Sequence, residues 1–436
     1  MTQRRAHSKP RRICIVGGGA GGIELATRLG RRLGGKGKAE IILVDRNAQH
    51  VWKPRLHEVA AGLMDADDAV GYLGHSASHG YQFHLGTLLG IDPVRHSIRI
   101  SGVQSKVDGC EILGERAISY DFLVLALGSR ANDFGISGVA EHCHMLDSAA
   151  QAADFQRRFL EGVFQVAEGR KDRLGIGIVG AGSTGVELAA ELRHAAHDLR
   201  RFGGLDDQQR LDITLVDGAD RILPAVDQKT SDEICKSLQQ FGVAMQLGHQ
   251  VDHVTADALH LQGGRSVPCD LKVWASGIVI PDLSKILPAL TLLKAGRIKV
   301  DDHLACAGVA DIFAIGDCAS VESDAGTLPP TAQVAHQQAG YLANALSRRL
   351  LHRPVGAFRY RARGTLISLG GKQAVGEIPL AHRKAPVTIS GIKTKLLYVA
   401  LYQMHRAVLF GWPRTVALIV ADWLRRRTLP PIKLHW

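Results

Sequence analysis

The stretch Arg12-Ile13-Cys14-Ile15-Val16, followed at once by Gly17-Gly18-Gly19-Ala20-Gly21-Gly22 and then Ile23-Glu24-Leu25-Ala26-Thr27-Arg28-Leu29, decides the fold. A short apolar run predicts a buried strand, the glycines a tight turn, and the spacing beyond them a helix. A second strand, Ile41-Ile42-Leu43-Val44, ends in Asp45. Together these make a βαβ unit. In a G-x-G-x-x-G turn the first glycine permits the sharp bend and the second lets the backbone approach a pyrophosphate. The third lets the helix pack against the strand. Phosphates then rest on free N–H groups at the positive end of the helix. Gly17, Gly18, Gly19, Ala20, Gly21 and Gly22 are therefore candidates for holding a dinucleotide.

One such loop is a weak signal, but the same text recurs. Gly175 to Val179 reads as a strand, Gly180-Ala181-Gly182-Ser183-Thr184-Gly185 as a turn, and Val186-Glu187-Leu188-Ala189-Ala190-Glu191-Leu192 as a helix. The strand Ile213-Thr214-Leu215-Val216 ends in Asp217. Each copy closes alike, with Phe122 to Gly128 in the first and Leu271 to Gly277 in the second. Two copies of one architecture lie in one chain. A further strand, Asp311-Ile312-Phe313-Ala314-Ile315-Gly316-Asp317, has no phosphate loop of its own. The simplest topology inserts the second unit into the first, with the chain returning near residue 290. The expected fold is thus α/β, with two Rossmann-like dinucleotide-binding domains and a C-terminal region. The expected boundaries are 1–145 and 291–358 for the first domain, 146–290 for the inserted one and 359–436 for the remainder.

Asp45 and Asp217 stand where a carboxylate accepts hydrogen bonds from ribose hydroxyls and repels a 2′-phosphate. NADH is favoured over NADPH, although Arg221 lies four residues beyond Asp217. The interval from Gly180 to Asp217 exceeds the usual spacing of about 20 residues, so the charged stretch Arg193 to Arg210 is expected to lengthen the intervening helix.

Composition narrows the class. At 436 residues, 46% hydrophobic and 22% charged, the chain reads as a globular protein of two or three domains. The net charge of +11 suits polyanions, and it concentrates at Arg4 to Arg12 and at Arg425 to Lys433. No nucleic-acid-reading module accompanies it, which argues against nucleic acid as a partner. The seven cysteines form no C-x-x-C pair, against a disulfide framework or zinc ribbon and in favour of a reducing compartment. The 20 histidines are dispersed without H-E-x-x-H, so no metal is called for. No apolar stretch precedes the first strand, and no secretory signal is expected. Leu396 to Val420 carries apolar runs broken by Gln403, His405, Arg406, Pro413 and Arg414. It falls short of the roughly 20 apolar residues of a spanning helix. Trp412, Trp423 and Tyr402 at headgroup depth, with Arg425, Arg426 and Arg427 against acidic lipids, would make a monotopic anchor. The other use of such helices is burial in a dimer interface, and a homodimer is expected.

These residues resemble the two-dinucleotide-binding-domain flavoproteins, and within them the type II NADH:quinone oxidoreductases of the proteobacterial branch. The resemblance spans nearly the whole chain. It is densest at Val44-Asp45-Arg46-Asn47, His50-Val51-Trp52-Lys53-Pro54 with Leu56-His57-Glu58-Val59-Ala60, Ala126-Leu127-Gly128-Ser129, Pro329 to Gln337, and the last forty residues, including Leu401-Tyr402-Gln403-Met404-His405 and Ile432-Lys433-Leu434-His435. It implies non-covalent FAD in the first unit, touching the first loop, Asp45, Arg46, Lys53, Gly128, Asp317, Ala332 and Gln333. It implies NADH in the second, at Gly180, Gly182, Thr184, Gly185, Glu187, Asp217 and Gly277. Gln333 and Gln337, four apart on one helix face, match the family's quinone-site helix, Glu187 a family glutamate between nicotinamide and quinone, and Lys372 a basic residue near the quinone tunnel. The implied activity is hydride transfer from NADH to FAD and then two-electron reduction of a membrane quinone without proton pumping, at the cytoplasmic face of a bacterial inner membrane. Rival readings are a soluble flavin reductase feeding ferredoxin or oxygen, a sulfide:quinone oxidoreductase using Cys143 and Cys318, and a non-catalytic FAD/NADH redox sensor.

Overall fold

The computed structural model describes residues 10–65, 69–105, 107–200, 210–323, 326–379 and 385–428. Most of the basic N-terminal stretch, residues 201–209 of the charged stretch, the side chains of Arg426 and Arg427, and the ending through Lys433 and His435 lie outside the described residues.

The first glycine loop joins β1 (Arg11–Val16) to α1 (Ala20–Arg32), and β2 (Ala39–Asp45) follows. Next come α2 (Leu56–Ala60), α3 (Tyr72–His79), β3 (Gln82–Leu85) and β4 (Phe122–Leu125). The second unit runs through β5 (His144–Met145), α4 (Ala149–Ala167), β6 (Leu174–Val179) and α5 (Ser183–Arg200). It continues through β7 (Leu211–Asp217), α6 (Gln228–Gln240), β8 (Val243–Leu247) and β9 (Leu271–Trp274). Then come β10 (Ile312–Ala314) and α7 (Ala332–Arg349). The chain ends with β11 (Thr365–Ser368), β12 (Ala374–Ile378), β13 (Val387–Ser390), α8 (Ile392–Phe410) and α9 (Trp412–Thr428).

Two five-stranded parallel sheets result, in the orders β10-β4-β1-β2-β3 and β5-β9-β6-β7-β8. In each, the strand before the glycine loop is central, with the strand after the helix on one side and the closing strand on the other. The chain reverses direction across the sheet at that central strand, so the loop sits at the switch point where open α/β sheets bind ligands. Ile13, Cys14, Ile15 and Val16 are all buried, because both faces of the sheet are covered. The orphan strand read from Asp311 to Asp317 is the edge strand β10, paired to β4 from across the insertion.

The two units exchange chain at an antiparallel ribbon, Arg130–Ala131 against Ile278–Val279. Ile280, Leu283, Leu287 and Leu290 pack into the first core. On that packing we propose that the inserted unit ends at the ribbon rather than near residue 290. The antiparallel sheet β11-β12-β13 rests on the second unit: Thr230 and Thr388 hydroxyls are 2.8 Å apart, and the Asp227 N–H donates to Glu377 Oε1 at 2.6 Å. Helix α8 instead packs on the first unit, where Arg31 donates to the carbonyls of Val408 and Leu409 that end the helix. The C-terminal region therefore clamps both units.

Among the described residues no helix is long and apolar enough to cross a membrane. Helices α8 and α9 nonetheless present Leu396, Trp412, Val416 and Trp423 at 65%, 62%, 54% and 51% exposure. Tyr402, expected at headgroup depth, is half-buried. Its ring meets Trp52 at 6.4 Å and takes the Arg55 guanidinium at 4.5 Å. Arg425 pairs with Asp65 at 3.1 Å.

Candidate dinucleotide and electron-transfer site

The two glycine loops are built alike, and both have room for a phosphate. Gly17 and Gly180 adopt φ of +104° and +110°, where a side chain would strain the backbone. A Cβ on Gly22 would strike the Gly17 carbonyl oxygen, and one on Gly185 the Gly180 carbonyl oxygen. Gly19 and Gly182 face open space, with nothing within 4 Å of an added Cβ. Helix α1 starts at Gly19 without a side-chain cap, so its first N–H groups point into that space. Asp45 Oδ2 accepts from Gly18 N at 2.6 Å, and Asp217 Oδ2 accepts from Ala181 N at 2.6 Å. The two acids thus fix the loops they follow. Thr184 lies exposed in the first turn of α5, Arg46 is exposed beyond Asp45, and Ala332 opens α7 beside the capping Thr331.

Gly128 in the first unit and Gly277 in the second both turn with positive φ after their closing strands. Lys53 donates to the Ser129 carbonyl at 2.9 Å, and the Ser129 hydroxyl donates to Asp317 Oδ2 at 2.6 Å. Gln338, not found from sequence, holds that turn by accepting from Gly316 N at 2.6 Å. Lys53, Ser129 and Asp317 therefore line one continuous polar wall near the first loop. Cys318 is fully buried, with its sulfur 3.4 Å from the Leu125 carbonyl, and burial pushes its thiol up to about 11. Burial pushes Cys143 up to about 12. Neither has the lowered pKa of a reactive thiolate.

Beside the second loop, Glu187 stands where α5 meets the C-terminal sheet. Its Oε1 accepts from Ser368 N at 2.9 Å, and Oε2 lies 3.7 Å from His57 Nδ1. The Ser368 hydroxyl donates to Glu191 Oε1 at 3.0 Å and receives from Lys395 Nζ at 2.5 Å. Burial, with Glu191 and Glu58 adding to it, raises the Glu187 pKa to about 8, so the acid is protonated at neutral pH. Burial alone would also raise Glu58. Its ion pair with Arg55 outweighs that and holds it at about 2. Burial lowers His57 to about 4, leaving a neutral imidazole whose Nε2 has no partner among the described residues. The site thus contains a neutral acid among fixed charges.

Glu24 occupies the same place in the first repeat, seven residues after its first glycine (17 to 24, as 180 to 187). Its environment is opposite. Burial would raise its pKa, but hydrogen bonds from His336 and His405 outweigh this and hold it at about 2. His405 Nδ1 is 2.8 Å from Glu24, His405 Nε2 is 3.0 Å from His50 Nε2, and His50 Nδ1 is 2.9 Å from the Gly18 carbonyl. Burial lowers the pKa of both histidines, His50 to about 3, and the three contacts set their rings in a row. The relay ties α8 to the first glycine loop. Because the folded Glu24 lies below its ordinary pKa of 4.5, its stabilisation is present above that pH and lost as pH falls toward 2. Wild-type protein should lose about 3 kcal/mol more than E24Q over that range, measured by denaturant unfolding.

Gln333 and Gln337 share one face of α7, as their spacing predicts. Their amides are engaged by the following segment. Gln333 Oε1 accepts from the Tyr360 hydroxyl at 2.7 Å and Arg363 N at 2.9 Å. Gln337 exchanges two bonds with the Arg361 backbone. Lys372 is exposed on the turn between β11 and β12, whereas the lysine that reaches the acidic pair is Lys395. Residue spacing alone could not select Lys395, because its partners lie on α5 and β11.

The pyridine nucleotide-disulphide oxidoreductase family matches residues 11–339. A type II NADH:quinone oxidoreductase from Haemophilus influenzae is 37% identical over 97% of this chain and 99% of its own. NDH2 from Plasmodium falciparum, solved with NADH, superposes with a TM-score of 0.82 at 18% identity, covering 98% of this chain and 100% of that one. The sulfide:quinone oxidoreductase of Aquifex aeolicus shares the fold at a TM-score of 0.73 and 17% identity over 98% of this chain and 96% of that one. With both glycine loops in place and a relative of this identity along almost its entire length, the chain belongs to the pyridine nucleotide-disulphide oxidoreductases and, within them, to the type II NADH:quinone oxidoreductases.

Proposed function

We propose that this chain oxidises NADH at the second unit and reduces a membrane quinone, in two half-reactions. Bound FAD in the first unit supplies the two-electron chemistry. The observation that carries the reading is Glu187, a buried acid held protonated beside the second loop. Quinone reduction consumes two protons, and a neutral carboxylic acid can donate one at a pH where an ordinary glutamate has none. Lys395, through Ser368 and Glu191, keeps a positive charge beside the acid and favours its deprotonated form once the proton has gone. His57, a neutral imidazole, faces Glu187 Oε2 through Nδ1 and adds no opposing charge to the acid. Lys53, Ser129 and Asp317 orient the first unit's ligand, while Gly19 and Gly182 bring the phosphates close. Gln333 and Gln337 fix the segment 360–364 and so shape the approach to the site.

The exposed apolar side of α8 and α9 supports peripheral, monotopic attachment to an acidic phospholipid surface, at the cytoplasmic face where NADH is available. The same strip is the surface on which a second copy would pair. Full-length protein in detergent should oxidise NADH with a short-chain ubiquinone analogue in a steady-state assay. Turnover with ferricyanide or oxygen but none with the quinone would reject the acceptor and favour a soluble reductase.

A further inference from the structure

Two open grooves of about 430 and 470 Å3 adjoin one another on the first unit and share Arg28 and His336. Arg31 and Arg32 of α1 line the first, and Arg359, Arg361 and Arg363 line the second. No carboxylate lines either one. Arg28 touches Glu24 at 3.4 Å, but Glu24 lies behind the grooves and is already bonded to His336 and His405. Arg32, Arg359, Arg361 and Arg363 are exposed, without a carboxylate partner among the described residues. The cations crowd one another: burial and then the nearby Arg28 and Arg414 lower the pKa of Arg31. Such an assembly of like charges is stabilised by an anion that fits it. Guanidinium forks match phosphate oxygens two at a time.

What adjoins the charge decides which anion. Trp412 lines the first groove, is 62% exposed and begins α9, whose Val416, Ile419 and Val420 are also exposed. A free phosphate or a nucleotide has no use for an apolar strip at the groove's edge. A lipid does, because its headgroup and acyl chains need both surfaces side by side. We propose that these grooves seat the phosphodiester headgroups of anionic phospholipids, with the acyl chains lying along the α8–α9 strip. This rests on the peripheral-membrane reading and makes it specific: the protein selects lipid by charge at a defined site.

The test uses full-length holoprotein sedimented with phosphatidylcholine vesicles, with and without phosphatidylglycerol. The R359Q/R361Q/R363Q variant is compared with an R95Q/R99Q/R170Q control that removes equal charge elsewhere. Phosphatidylglycerol should strengthen wild-type partitioning. The groove variant should lose on the order of 100-fold of that gain, about fivefold per arginine, and the control only a few fold. Thermal unfolding midpoints should match wild type in both, which shows that the folds are intact. Equal losses in the two variants would show a diffuse surface field and overturn the proposal. So would release of wild-type protein by inorganic phosphate at matched concentration, which would mark a free-anion site. Binding to phosphatidylcholine with no response to phosphatidylglycerol sinks the headgroup site alone. Failure to bind any vesicle removes the membrane reading as well.

Discussion

Glu187→Gln should slow quinone reduction by about 100-fold or more, the usual contribution of a positioned general acid. Glutamine keeps the size and can still accept from Ser368 N, so the loop and β11 stay docked. What it lacks is the proton. Ferricyanide reduction, which needs none, should stay within a few fold of wild type. The pH dependence separates chemistry from packing. Burial raises the Glu187 pKa to about 8, so the acid carries its proton below that pH and loses it above. Wild-type quinone turnover should hold on the acid side and fall as pH rises through about 8. The variant should be slow and flat across that range. A variant at full rate, or one with the same alkaline fall, would remove Glu187 from the mechanism.

Gly22→Val and Gly185→Val should separate the two nucleotides. In each loop the third glycine lies against the carbonyl of the first, so a side chain must push the helix off its strand. Neither neighbour is a flexible side chain that could swing away, and overpacking against backbone is not relieved locally. Gly22→Val should purify without the yellow of FAD and lose more than about 100-fold of NADH oxidation with every acceptor. Gly185→Val should remain yellow, yet its flavin absorbance should bleach with NADH at least about 100-fold more slowly. Visible spectra of the purified proteins and anaerobic mixing with NADH read both outcomes. The reverse pattern, with Gly185→Val colourless and Gly22→Val yellow, would exchange the ligands of the two units.

Much of this architecture is legible in the sequence because the repeat writes it twice. The strand, glycine turn, helix and acid from Arg12 to Asp45 recur from Gly175 to Asp217, and both fold into sheets of the same order. The same register also marks Glu24 and Glu187 as equivalents. It cannot reveal that His336 and His405 ionise one while burial beside Glu191 and Glu58 protonates the other. That difference is tertiary. The apolar pattern of α8 and α9 is visible in sequence, but the inward turn of Tyr402 onto Trp52 is not. Gln333 and Gln337 do share a helix face, whereas the clasp they make on residues 361–364 depends on how the chain folds back. Lys395 went unnoticed for the same reason: an exposed-looking lysine in an apolar helix acquires meaning only once Ser368 and Glu191 stand beside it.

In the proposed mechanism reducing equivalents pass from a nucleotide on the second unit, through the first, to a quinone. Anaerobic stopped-flow of the detergent-purified protein follows this at the visible flavin band, with NADH added first and a ubiquinone analogue second. The band should bleach on the first addition and return on the second, at rates no slower than steady-state turnover. Bleaching that quinone does not reverse, or no bleaching at all, would contradict it.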